Sequence, residues 1–144
     1  SKPLPQASYD FILTARSIHG WMGTPGMLEK TFREFHDALK PGGILAVEQH
    51  RANPGPQDPE AASGYVTEAY VIEQAEKAGF KLAGRSEINA NAKDTKDHPF
   101  GVWTLPPALR STAYGSKETD PGFDHSKYLS IGESDRMTLR FVRP

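Results

Sequence analysis

The run Tyr9-Asp10-Phe11-Ile12-Leu13-Thr14 is short and apolar on both faces, with Pro3 and Pro5 just ahead of it. Such a run predicts a strand buried on two sides, as in a parallel sheet. After a Gly-rich connection, Leu28, Phe32, Phe35 and Leu39 recur at helical spacing, and Thr24 followed by Pro25 supplies a cap and a first helical position. Lys40-Pro41-Gly42-Gly43 ends that helix, and Ile44 to Val47, β-branched at both ends, predicts a second strand. Strand, helix, strand is a βαβ unit whose strands run parallel. Thr67 is placed to cap a second helix, with Val66 and Val71 spaced as a hydrophobic staple and Gly79 where a left-handed C-terminal residue belongs. Phe80 to Ile88 predicts a third strand. Met137 to Val142 predicts the last, with Met137, Leu139 and Phe141 alternating against Thr138, Arg140 and Val142.

Residues 89–135 interrupt this order with Pro99, Pro106, Pro107 and Pro121, and show only a weak helical pattern near Leu109. A stretch of that length is too long for an inert connection, so part of it is expected to cover a site or an interface. The 144 residues suit one domain with a real core. A net charge of −1 removes any electrostatic reason to expect nucleic acid or an anionic membrane as partner. The absence of cysteine excludes disulfides, thiolate metal sites and cysteine nucleophiles. No apolar run approaches the roughly 18 residues of a membrane span, and SKPLPQASYD lacks a signal-peptide core. The default expectation is a cytoplasmic location, with a targeting signal on a longer parent left open.

Leu39-Lys40-Pro41-Gly42-Gly43-Ile44-Leu45 resembles the turn before the fifth strand of class I S-adenosylmethionine-dependent methyltransferases. Proline stops the helix there and the glycines permit a tight return into the sheet. Tyr9 to Leu13 resembles the fourth strand of that fold, Ala78-Gly79-Phe80 the approach to the sixth, and Met137 to Phe141 the seventh. Val47 to Ala52, Gly64 to Tyr70 and Ile131 to Arg136 are similar to segments of a bacterial group of predicted methyltransferases. The resemblance implies an α/β chain, a truncated Rossmann-like methyltransferase sheet in the order 4-5-7-6 with the last strand antiparallel and helices flanking it. It also implies one partial domain over residues 1–144, the C-terminal half of that fold, with 89–135 as a long loop or lid. Members of the family hold S-adenosyl-L-methionine mainly with elements ahead of the matching region, and Gly20, Gly23 and Gly26 lack the strand-turn-helix context of a dinucleotide loop. The fourth strand would then be a free edge, so the strand at 9–14 is expected to pair with a second copy, giving a homodimer, or with a complementing N-terminal half.

Ligands of open α/β sheets bind beyond the carboxyl ends of the parallel strands. That rule selects Thr14 to His19, Glu48 to Arg51 and Glu87 to Asn91, together with Glu133, Asp135 and Arg136 at the start of the antiparallel strand. His19, Glu48, His50 and Asp135 are the candidate acids and bases. Arg16, Arg51 and Arg136, with Trp21 and Trp103, are candidates for holding a small-molecule substrate, the arginines by clamping an anion. The resemblance implies that Thr14, Ala15 and Ser17 approach the cofactor of the parent family. The same His and Glu residues have an ordinary reading as solvated or hydrogen-bonded strand ends, and Trp21, Met22, Trp103 and Leu105 one as packing that pins loops. His98-Pro99-Phe100-Gly101 is a turn or a lid. No HExxH or other tight ligand spacing appears and no metal is expected. Ser17, Ser86 and Ser134 lack a GxSxG elbow. Three functions stay open: the substrate side of a methyl-transfer site, a small hydrolase or lyase using the His/Glu/Asp/Arg cluster, and a non-catalytic assembly domain.

Overall fold

The computed structural model describes residues 2–113, 115–118 and 120–144. Strands β1 (Tyr9–Ala15), β2 (Leu39–His50), β3 (Lys81–Ser86) and β4 (Arg136–Val142) form one sheet in the order β1-β2-β4-β3. β1 and β2 are parallel, and β4 runs antiparallel to both of its neighbours. This is the mixed order expected above. Helices α1 (Ile18–Met22), α2 (Met27–Ala38), α3 (Glu68–Lys77) and α4 (Ser126–Ile131) and a 3-10 turn at Gly101–Thr104 complete the elements.

The core forms on one face of the sheet. Leu45 and Val47 of β2 and Met137, Leu139 and Phe141 of β4 bury there with Leu28 and Phe32 of α2 and Val71 and Ala75 of α3. The period-2 pattern of β4 holds along its length because every second side chain faces that core. The cap of α3 also forms as expected, with Thr67 Oγ1 accepting from the Tyr70 amide at 3.2 Å and Val66 and Val71 both buried. Gly79 has φ 102°, and a Cβ there would come within 2.9 Å of His36 Nε2.

Several expectations are corrected. β1 is not buried on two sides: Phe11 and Leu13 are 58% and 63% exposed, because α2 and α3 pack against the opposite face, which carries Ile12. The open face, floored by Ile44 and Ala46 with Thr138 and Arg140, forms a shallow apolar groove beside Phe11. α2 starts at Met27 after Gly26, whose φ of 77° turns the chain, so Thr24 and Pro25 lie outside the helix. The connection before them holds α1, too short to show a periodicity.

The Lys-Pro-Gly-Gly segment belongs to β2 rather than to a turn between helix and strand. Tyr9 pairs with Leu39 and Phe11 with Ile44, so residues 40–43 bulge out of the ladder with Gly42 at φ 82°. Arg143 holds this bulge. Its carbonyl accepts from the Gly42 amide at 2.7 Å, its amide donates to Gly43 at 2.9 Å, and its guanidinium donates to the carbonyls of His36, Asp37 and Leu39. β3 is shorter than predicted. Leu109 sits at φ 48° outside any helix, and the helical turns of the long connection lie instead at Gly101–Thr104 and Ser126–Ile131. No helix among the described residues is long and apolar enough to cross a membrane.

Candidate functional site

The parallel ladder ends where the Arg16 amide donates to the Glu48 carbonyl at 2.7 Å. Arg16 then adopts φ 51°, left-handed and costly for a side chain with a Cβ, and this turns the chain into α1. One turn on, His19 comes to lie over the end of β2. What fixes it there is Gln49, fully buried among apolar neighbours. Gln49 Oε1 accepts from the Ile18 amide at 3.1 Å, and its Nε2 donates to the Gly64 carbonyl at 3.1 Å and to His19 Nδ1 at 2.9 Å. Both amide hydrogens are thus used. His19 Nδ1 must be an acceptor, which places the proton of the neutral ring on Nε2.

The second histidine is set by a parallel device. His50 Nδ1 meets Ser134 Oγ at 2.5 Å, and Arg136 Nε donates to the same hydroxyl at 3.1 Å. With the guanidinium donating to Ser134, the hydroxyl's own hydrogen is assigned to His50 Nδ1, which puts the proton of the His50 ring on Nε2. The two imidazole rings lie 5.5 Å apart, and the Trp103 ring meets His19 edge-on at 5.8 Å.

Arg16, His19, His50, Ser134 and Arg136 line a cleft of about 320 Å³ whose other wall is Val102, Trp103 and Leu105 to Ala108. The segment covering the cleft therefore comes from the long connection. It is drawn in at a close backbone approach: the Val102 amide donates to Ser63 O at 2.9 Å, and a Cβ on Gly101 would stand 2.4 Å from that oxygen.

Burial drives the His50 pKa down to about 3, and the charges of His19, Arg136 and Arg16 add to the effect. Burial lowers His19 as well, against the hydrogen bond from Gln49. Both rings are neutral near pH 7. Ser134 is only 3% exposed and bonded to both Arg136 and His50, so it positions the imidazole.

Not every expected residue converges. Side chains alternate across a strand, so Arg51 and Asp135 point to the other side from His50 and Ser134. They meet in a second cleft, of about 510 Å³, with Thr67, Glu68, Arg85 and Lys96. Asp135 accepts from Arg51 Nε at 3.0 Å, Lys96 Nζ at 2.8 Å and the Asn91 amide at 2.8 Å, while Arg51 also binds Glu87 at 2.8 Å. Burial pulls the Asp135 carboxyl up, but Arg51 and Lys96 outweigh it and hold it at about 2. Asp135 is thus a charge-neutralised tie between loops. Glu48 reaches the rim of the first cleft through Arg136 Nε at 3.4 Å. Trp21 packs against Phe35, away from it. Thr14 is buried at the end of β1, Ala15 is exposed, and Ser17 Oγ donates to the Ala15 carbonyl. Among the described residues no three His, Asp or Glu side chains gather as a metal site.

Gln49 and Ser134 are the residues sequence reasoning missed as positioning groups. A signal existed for Gln49, an amide in register with Leu45 and Val47 on the core-facing side of a strand.

No family model matches the chain, and no curated protein matches it. Solved structures do. The 4+2 cyclase SpnF aligns over 100% of this chain and 54% of its own length, with TM-score 0.62 at 16% identity. An S-adenosylmethionine-dependent methyltransferase from Mesorhizobium loti aligns over 99% of this chain and 65% of its own, with TM-score 0.51 at 16% identity. A putative methyltransferase of Haloferax volcanii, solved with the activator Trm112, aligns over 100% and 58%, with TM-score 0.52 at 15% identity. The fold is that of S-adenosylmethionine-dependent methyltransferases, and this chain spans between about half and two-thirds of those structures.

Proposed function

We propose that the chain supplies the substrate side of an S-adenosylmethionine-dependent methyl-transfer site. The observation that carries this reading is a cleft at the carboxyl edge of two parallel strands, in a fold shared with such methyltransferases along the whole chain. Methyl transfer asks for a nucleophile held in line and sometimes a base. Arg16, His19, His50 and Arg136 orient a substrate, Trp103 and the two prolines at 106 and 107 keep water from it, and Glu48 at the rim is the carboxylate available to a substrate proton.

S-adenosylmethionine presents a sulfonium, an ammonium and ribose hydroxyls, which ask for acceptors and negative charge, and only one carboxylate that asks for donors. The groups lining this cleft are donors and cations, so it does not fit the cofactor. Cofactor binding is assigned instead to polypeptide that docks against β1, where Thr14, Ala15 and Ser17 would approach it. The exposed Phe11 and Leu13 on that edge strand support a partner there, either a complementing N-terminal half or a second copy.

One of the solved neighbours is named a cyclase, so the experiment must read methyl transfer itself. Calorimetry with S-adenosylmethionine is run on the chain alone and with an added N-terminal segment carrying a Gly-rich strand-turn-helix. A labelled-methyl assay then follows on the complemented sample. Binding and transfer only after complementation are expected. No binding in either sample overturns the reading.

A further inference from the structure

The cleft at the ends of β1 and β2 combines three features that together specify a ligand. First, its polar groups are donors with fixed directions. Gln49 uses both amide hydrogens and leaves His19 as an Nε2–H donor. The relay from Arg136 through Ser134 leaves His50 as an Nε2–H donor. Second, it holds one cation that no carboxylate among the described residues shares. Arg136 is shared with Glu48 at 3.4 Å and Glu133 at 3.3 Å. Arg16 lines the cleft and makes no ion pair among the described residues. Third, the facing wall is Val102, Trp103, Leu105 and Pro106, and the space is about 320 Å³, at the small end for organic ligands.

We infer that this cleft binds a small monoanionic oxyacid with a flat apolar body, an aromatic carboxylate above all: Arg16 and the Nε2–H groups of His19 and His50 take the anion, and Trp103 takes the ring. A monoanion matches the single unshared cation, whereas a dianionic phosphate leaves a charge unpaired in a half-buried site. The inference rests on the cleft being the substrate side proposed above, yet it is tested without S-adenosylmethionine, so a failed methyl transfer and a failed anion site are told apart.

The probes are benzoate, its neutral counterpart benzamide, and phenyl phosphate, titrated at pH 7 by calorimetry and by Trp fluorescence. Benzoate is expected to bind about 10-fold more tightly than benzamide, the scale of one charge-assisted contact. Arg16→Ala, at an exposed position, is expected to weaken benzoate about 5- to 10-fold and leave benzamide unchanged. Ser134→Ala is expected to weaken benzoate while the ¹⁵N signals of His50 move from a single Nε2–H form to a mixture of tautomers, which loss of packing alone would not produce. Equal binding of benzoate and benzamide, no binding of either by the folded chain, tighter binding of phenyl phosphate, or indifference to Arg16→Ala would each overturn the proposal.

Discussion

Gln49 shows how much of the site hangs on one buried amide. Three partners on three segments, the Ile18 amide, the Gly64 carbonyl and His19, converge on its side chain. Replacing it by Ala strands a buried donor and a buried acceptor, at about 1–3 kcal/mol each. Gln49→Ala is therefore expected to lower the urea midpoint and to release His19 from its single tautomer, whereas His19→Ala, which removes only the third partner, costs less. Urea unfolding of the two variants decides the order. His50 makes a second expectation, this time about pH. Its folded pKa of about 3 lies far below the usual 6.5, so unfolding at acid pH takes up a proton that the native state refuses. The stability it contributes is complete above pH 6.5, falls between pH 6.5 and about 3 by up to about 1.4 kcal/mol per pH unit, and is spent below that. His19 is shifted in the same direction. His50→Asn should flatten the stability profile below pH 6.5, and an unchanged slope would contradict the neutral, buried assignment.

At the scale of elements, what was legible followed from strict periods and local chemistry. β4 was readable because Met137, Leu139 and Phe141 meet the core at every second position, and α3 because Thr67, Val66, Val71 and Gly79 mark both of its ends. The carboxyl-edge rule brought Arg16, His19, His50 and Arg136 to one cleft. It could not separate Arg51 and Asp135 from them, because which face a strand-end side chain takes depends on a register that sequence spacing leaves open by one residue. The bulge of β2 was hidden for a different reason: its clamp is Arg143, over a hundred positions away, and no local signal pairs the two. The wall of the cleft depends in the same way on a distant contact. Gly101 has φ 59° and sits against Ser63, so Gly101→Ala combines a strained backbone with a clash against a carbonyl. The expected result is local. The Trp103 segment lifts, tryptophan emission shifts to the red and benzoate affinity falls, while the far-ultraviolet circular dichroism of the sheet is retained. Global unfolding instead would mean that this segment belongs to the core and does not merely cover it.

The molecule as a whole is a sheet with one face covered and one face open. α2 and α3 occupy the same side, so the opposite side keeps Phe11, Leu13, Ile44 and Ala46 in contact with water, beside a strand edge whose backbone groups point outward. Covering Phe11 and Leu13, 58% and 63% exposed, is worth on the order of 1–2 kcal/mol each, and backbone pairing along β1 adds direction to that gain. Water on such a surface is a cost the fold does not recover by itself, and the chain spans 54% of the solved structure it matches with TM-score 0.62. The open face is accordingly expected to drive association through β1. Leu13→Lys puts a charge in the middle of the patch at a position 63% exposed, where it harms no core packing. Sedimentation over a range of concentrations should show association for the wild-type chain, alone or with an added N-terminal segment, and a monomer for Leu13→Lys with unchanged circular dichroism. A wild-type chain that stays monomeric at every concentration and takes up no added segment would show that the fold tolerates its open face. The partner assigned to β1 would then have to be given up, and with it the route by which the cofactor is proposed to reach the cleft.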